Sequence, residues 1–121
     1  MASSSSKEEP PREAPTVRRN RLAIHGVLVA IDAPDVSAHP WVVDAIDISS
    51  SGMGLVLPPE IEEGRRVLLS FELDETTRFS RVPALVRHQM TQSGGVEFKQ
   101  WPSAERLKLL EYLVRWYETL N

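Results

Sequence analysis

The chain of 121 residues contains no cysteine, so it can form no disulfide and offers neither a thiol nucleophile nor zinc thiolates. It has three histidines, His25, His39 and His88, and none stands at metal-ligand spacing or beside a carboxylate motif. The serine runs lack both a Gly-x-Ser-x-Gly elbow and a partner base, which argues against serine hydrolysis. We therefore expect no catalytic residues, no metal and no cofactor, and do not expect an enzyme.

Long apolar runs and strong positive charge are also missing. No stretch approaches the roughly 18 apolar residues of a membrane span, and the amino terminus lacks the apolar core of a secretory signal. A net charge of −3 argues against a general nucleic-acid binder. The expected location is cytoplasmic, with no nucleic-acid partner and no membrane span.

The amino-terminal residues differ in composition from the rest. Residues 1–16 are rich in serine, glutamate and proline and have little apolar surface to bury, which predicts a disordered tail. Residues 17–121 are long enough for one small domain with a single core.

Within that domain, apolar residues alternate with polar ones over short segments separated by turn residues, which is typical of antiparallel strands. A slip of the alternation at His25–Gly26 predicts a bulge in the first segment. The six predicted strands are Leu22–Ile31, Trp41–Ser49, Met53–Leu57, Arg66–Leu73, Phe79–Met90 and Val96–Lys99.

The period changes to that of a helix over residues 103–120. About half of the helix circumference is apolar, formed by Leu107, Leu109, Leu110, Leu113, Val114, Trp116, Tyr117 and Leu120, and the helix is expected to plug or cap the barrel. Six short strands and one terminal helix predict a mostly β fold: a small six-stranded antiparallel β-barrel with a C-terminal α-helix.

One motif is more informative than the rest, the run from Asp47 to Gly52. Strand alternation predicts that Ile46 and Ile48 point inward, whereas Asp47 and Ser49 point outward as a carboxylate beside a hydroxyl. Gly52 supplies either a positive φ or room for a close approach to the backbone. A basic cluster, Arg18-Arg19-Asn20-Arg21, precedes the first strand.

These features resemble the PilZ domain family, bacterial six-stranded barrels that commonly bind the second messenger cyclic di-GMP. The resemblance rests on Asp47-x-Ser49-x-x-Gly52, on the Gly95-Val96-Glu97-Phe98 segment before the helix, and on the arginine-rich segment before the first strand. It implies a receptor or adaptor that relays the signal to an unidentified protein partner. The implied ligand-binding residues are Arg18, Arg19, Arg21, Asp47, Ser49, Ser51 and Gly52.

The arginine segment departs from the family pattern Arg-x-x-x-Arg. Arg21 falls on the second arginine position, and Val17 then occupies the first. Either Arg18 takes over the missing role through a slip of one residue, or the ligand clasp is incomplete.

Two alternatives stay open from the residues alone. The arginines could be a solvated basic cluster without a ligand, and Asp47 and Ser49 could simply form a turn. The same barrel could then be an interaction adaptor that does not bind cyclic di-GMP and acts in motility or envelope machinery.

Overall fold

The computed structural model describes residues 17–18, 21–90 and 93–120. The predicted tail over residues 1–16 lies outside these ranges, as does Arg19. The elements in chain order are β1 (Val17–Arg18), β2 (Arg21–Ala23), β3 (Leu28–Asp32), β4 (Trp41–Ile48), β5 (Gly52–Leu55), β6 (Arg66–Asp74), β7 (Thr77–Met90), β8 (Ser93–Phe98) and α1 (Ser103–Leu120).

The sheet closes on itself. Neighbouring strands follow the order β4-β3-β6-β7-β8-β5, and a further pairing of β5 with β4 completes the ring. Every pairing in the ring is antiparallel. This confirms the predicted six-stranded barrel with its C-terminal helix. The two short strands β1 and β2 form a hairpin that is attached to the end of β4.

The first predicted strand is interrupted where its alternation slips. The amide of Ile24 donates to the carbonyl of Ile46, and the amide of Ala45 donates to the carbonyl of Val27. His25 and Gly26 therefore lie outside the ladder, and Gly26 adopts a φ of 73°. The predicted bulge is confirmed, and it divides the segment into β2 and β3, which pair with successive parts of β4.

A second irregularity lies in β4 itself. Ala45 pairs with Leu55 and Asp47 pairs with Gly54, so two steps along β4 match one step along β5, and Ile46 is the extra residue. Ile46 is 39% exposed, whereas Ile48 is fully buried. The prediction that the two isoleucines share the inner face is therefore wrong, because the bulge reverses the alternation between them.

The helix packs on the barrel by a narrower face than its apolar residues suggest. Leu109, Tyr112 and Leu113 are buried in the core. Leu107, Leu110 and Val114 are exposed, so only part of the apolar half packs on the barrel. Trp101, just before the helix, packs against Phe79 and Phe98 with ring centroids 5.6 and 4.8 Å apart. Within the described ranges, no helix is long and apolar enough to cross a membrane.

Candidate functional site

A cleft of about 520 Å³ opens on the outside of the barrel, beside the bulge in β4. Because Ile46 is the extra residue, it and Asp47 both face outward and line the same cleft. The cleft is lined by Arg21, Ile46, Asp47, Ser51, Gly52, Gly54, Arg87, His88, Ser93, Gly94, Gly95, Val96 and Glu97.

Arg21 and Asp47 are joined on one wall of this cleft. Because Ala23 pairs with Asp47, Arg21 lies diagonally across the ladder on the same outer face. Its Nε and Nη2 donate to Oδ1 of Asp47 at 3.0 and 2.7 Å. Both side chains remain partly exposed, so the pair contributes little to stability, roughly 0–1 kcal/mol. Its main effect is to orient both groups.

The carboxylate of Asp47 also accepts a hydrogen bond from the backbone of the neighbouring strand β5. The backbone amide of Gly54 donates to the same Oδ1 at 3.0 Å. Gly54 has no Cβ, and a Cβ at this position would stand 2.7 Å from Oδ1, so only glycine allows this close approach. The three donors converge on Oδ1, and none of them uses Oδ2.

Ser49 organises the turn that follows β4. It is only 5% exposed, which corrects the prediction of an open hydroxyl on the outer face. Its amide donates to the carbonyl of Gly52 at 2.9 Å, and its Oγ accepts from the amide of Ser51 at 3.3 Å. The same Oγ accepts from Nη1 of Arg21 at 3.4 Å, so the turn and the arginine are linked.

Gly52 is required for a close approach of strands rather than for a positive φ. A Cβ there would stand 2.2 Å from the backbone oxygen of Val96 on β8. Of the two roles expected for Gly52, a positive φ or room for a close approach to the backbone, the structure shows the close approach. The glycine thus lets β5 and β8 meet directly beneath the cleft.

Comparison with protein families matches residues 18–115 to the PilZ domain. The chain belongs to the PilZ domain family. The match covers the barrel and most of α1, and it includes the arginine cluster and the Asp47 motif. The family consists of receptor and adaptor domains. No curated protein matches the chain.

Among solved structures, the PilZ chain is similar to one described as the Bacillus subtilis inhibitor of motility MotI/DgrA. The TM-score is 0.63 at 23% sequence identity, and the match covers 89% of this chain and 56% of that one. The chain therefore spans little more than half the length of this relative. At 23% identity, this structural similarity shows that the two chains share a fold.

The opposite wall of the PilZ cleft contains residues that the sequence did not indicate as part of the site. Arg87 and His88 on β7 and Glu97 on β8 line it, and Arg87 Nη1 lies 3.6 Å from Glu97 Oε1. The ring of His88 lies over Gly95, where a Cβ would approach its Cε1 to 2.5 Å. A register shift between Val86 and His88 lets the side chains of both Arg87 and His88 point outward. In a regular strand these neighbouring side chains would point to opposite faces of the sheet.

The predicted site residues are brought together in part. Arg21, Asp47, Ser49, Ser51 and Gly52 form one continuous group on the first wall. The backbone of Arg18 lies in β1 and pairs with Arg21, and that of Val17 pairs with Leu22. Arg19 is outside the described residues. In the part of the chain that the structure covers, no group of three or more acidic or histidine side chains could hold a metal.

Proposed function

We propose that this chain is a cyclic di-GMP receptor that relays the second-messenger signal to a protein partner in the cytoplasm. The contact of Arg21 with both Asp47 and Ser49, at the edge of an open cleft, carries the proposal. Membership of the PilZ family supports it, because the family commonly binds this ligand. We propose no catalytic step, since binding alone would produce the signal.

Arg21 retains donors for an anion. A guanidinium has five N–H groups, and within the described part of the chain three of them are used, by Asp47 and Ser49. The other two are available to a phosphate oxygen of cyclic di-GMP without breaking the existing contacts. The intramolecular pairs therefore aim the guanidinium at the cleft before any ligand arrives, which reduces the entropy lost on binding.

Asp47 suits the guanine base. A carboxylate can accept from the N1–H and the exocyclic amine of guanine at the same time. Because Arg21 and the Gly54 amide converge on Oδ1, the carboxylate is fixed in orientation while Oδ2 takes no part in these contacts. Ser51 at the mouth of the cleft adds a hydroxyl, and the Gly52 turn brings backbone amides near the ligand.

Arg87 and His88 extend the proposed site to the second wall. Cyclic di-GMP has two phosphates, and a cation on each wall would match this charge distribution. The flat ring of His88, supported from below by Gly95, offers a surface on which a base can stack. Arg18 and Arg19 are proposed to close over the ligand from the amino-terminal side.

Signal transfer would follow from that closure. Closure of the arginine segment on the ligand would change the surface that a partner meets. We expect amide exchange of residues 12–22 to slow when the ligand binds. Unchanged exchange in this segment, with binding demonstrated, would refute the closure.

The deciding experiment is calorimetric titration of the chain with cyclic di-GMP. We expect low-micromolar binding or tighter, and Arg21→Ala and Asp47→Ala should each weaken it by roughly one to two decades. The matched control is Arg78→Ala, since Arg78 pairs with Glu72 outside this cleft and should leave the dissociation constant unchanged. Absence of heat from the folded chain would refute the receptor proposal.

One observation favours a second candidate, an adaptor that does not bind cyclic di-GMP. Val17 stands where the family pattern has its first arginine. The structurally similar protein is described as an inhibitor of motility, which suggests motility machinery as the setting. For an adaptor of this kind, Arg21→Ala and Asp47→Ala should leave partner binding intact.

A further inference from the structure

Helix α1 has an exposed apolar stripe that the barrel does not use. Leu107, Leu110 and Val114 are 56, 40 and 49% exposed, and they follow one another at spacings of three and four residues. The buried residues of the helix, Leu109, Tyr112 and Leu113, centre on the other side of its axis. The stripe therefore points away from the barrel, and the helix has two apolar faces of which the fold covers one.

We propose that this stripe pairs in parallel with the same stripe of a second copy of the chain. The spacing is that of the a and d positions of a coiled coil, with Leu107 at a, Leu110 at d and Val114 at the next a. The buried residues Leu109, Tyr112 and Leu113 then fall at c, f and g, so the side packed on the barrel is centred away from the a and d positions. Each barrel would lie on the outer side of the helix pair and reach the contact surface only at its g edge, where Leu113 is buried.

The charges beside the stripe select both the partner and its direction. Arg106 falls at g and Glu111 falls at the following e position. In a parallel pair, g of one helix faces the following e of the other, so Arg106 would meet Glu111 of the second copy, twice by symmetry. An antiparallel pair would place g near g and e near e, which brings like charges together. Within the described residues, neither side chain has an ion-pair partner.

The contact surface formed by Leu107, Leu110 and Val114 is short, but a short contact can be sufficient here. A free helix of this size is marginal, because ordering it costs more than its few contacts return. Here the barrel already holds α1 through Leu109, Tyr112 and Leu113. Pairing would therefore order little additional backbone. The inference does not rest on cyclic di-GMP binding, and it stands or falls independently of the proposed receptor function.

Sedimentation equilibrium of the full chain tests the charge pattern. We expect a concentration-dependent dimer, and Arg106→Glu or Glu111→Arg alone should raise its dissociation constant roughly tenfold, since two exposed pairs become repulsive. The double variant Arg106→Glu/Glu111→Arg should restore dimerisation. The control is Glu60→Arg, a charge reversal in an exposed loop, which should change nothing. A monomer at roughly 0.5 mM, or failure of the double variant to recover, would overturn the proposal.

An introduced thiol tests the direction. Since the chain has no cysteine, Ser103→Cys would be its only thiol, and position 103 continues the stripe as a d position. In a parallel pair the two thiols meet, so mild oxidation should give a cross-linked dimer. Ala38→Cys, in an exposed loop of the barrel, should stay monomeric. Cross-linking of both variants alike, or of neither, would overturn the parallel arrangement.

The apolar contribution is tested by Leu107→Gln/Val114→Gln. Both residues are exposed, so the melting temperature of a dilute sample should stay close to that of the unaltered chain. The dimer should be lost. Dimerisation that persists in this variant would overturn the proposal.

Discussion

Gly54 lies directly beneath the carboxylate of Asp47, so close that a methyl group at position 54 would stand 2.7 Å from Oδ1. The bulge in β4 and the absence of a side chain on β5 together give Asp47 its position. Orientation of the carboxylate therefore depends on a residue that makes no side-chain contact of its own.

Gly54→Ala should consequently displace Asp47 while leaving the barrel folded. The carboxylate is the end of a side chain and can rotate away, so the loss of stability should stay near 1 kcal/mol. Because rotation separates Asp47 from Arg21, the proposed receptor function predicts that the dissociation constant for cyclic di-GMP rises about tenfold. Calorimetry of Gly54→Ala, Asp47→Ala and the double variant checks this, since the double variant should lose little more than Asp47→Ala alone. Additive losses would contradict the coupling.

Gly52→Ala should act on stability instead. A Cβ at position 52 would meet the backbone oxygen of Val96 at 2.2 Å, and a ladder strand cannot yield as a side chain does. We expect a loss of about 2–3 kcal/mol in the free energy of unfolding, measured with urea.

The matched control for Gly52 is Gly26→Ala. Gly26 has a φ of 73° and no neighbour within 4 Å of a Cβ, so only backbone strain opposes alanine there. The expected loss is about 1 kcal/mol. Equal losses at the two glycines would show that contact with Val96 is not the reason for glycine at position 52.

Leu109→Ala and Leu107→Ala should separate the two apolar faces of α1. Leu109 is buried against the barrel, and removing its side chain leaves a cavity that costs about 2–4 kcal/mol. Leu107 is exposed, so its truncation should change the free energy of unfolding by less than about 0.5 kcal/mol. Chemical unfolding of dilute samples distinguishes them, and similar losses would mean that the helix packs by a different face.

Acid should weaken the β6–β7 turn through Asp74. Burial acts to raise the pKa of Asp74, but hydrogen bonds from Thr77 and Thr76 outweigh it and hold that pKa below its ordinary value. A carboxyl group whose pKa is lower in the folded state stabilises fully above its ordinary pKa. That contribution is lost as the pH falls through the folded pKa.

We therefore expect the melting temperature to fall below about pH 4, with Asp74 contributing part of the slope. Asp74→Asn should reduce the slope in this range. Carboxyl NMR titration gives the pKa directly, and a value at or above the ordinary one would contradict the interpretation.

The sequence predicted the fold because short alternating segments and a change to helical period are local properties. The segment Leu22–Ile31 shows that local patterning can also predict an irregularity. The alternation of apolar and polar residues slips at His25–Gly26, and the structure confirms the interruption there. The bulge at Ile46 could not be predicted from the sequence, because apolar and polar residues alternate normally over Ile46-Asp47-Ile48. Only the pairing of β4 with β5 reveals the extra residue.

The candidate site likewise has one wall that the sequence predicted and one that it did not. Its first wall was predictable because Asp47-x-Ser49-x-x-Gly52 is contiguous and an arginine cluster precedes it. Its second wall, Arg87 and His88, was not, since a register shift on β7 determines where those side chains point. Likewise, the apolar half of α1 is broad, and its residues alone did not show which part of it the barrel would cover.

By itself, then, the sequence determined the barrel of short antiparallel strands with its terminal helix, the family resemblance and the predicted residues of the first wall, all of which depend on neighbours along the chain. Only the tertiary structure decided that Ile46 faces solvent, that Ser49 is buried, and that Leu107, Leu110 and Val114 are left exposed. These outcomes depend on which strand or helix face lies opposite, and pairing across the barrel is the property that local periodicity cannot encode.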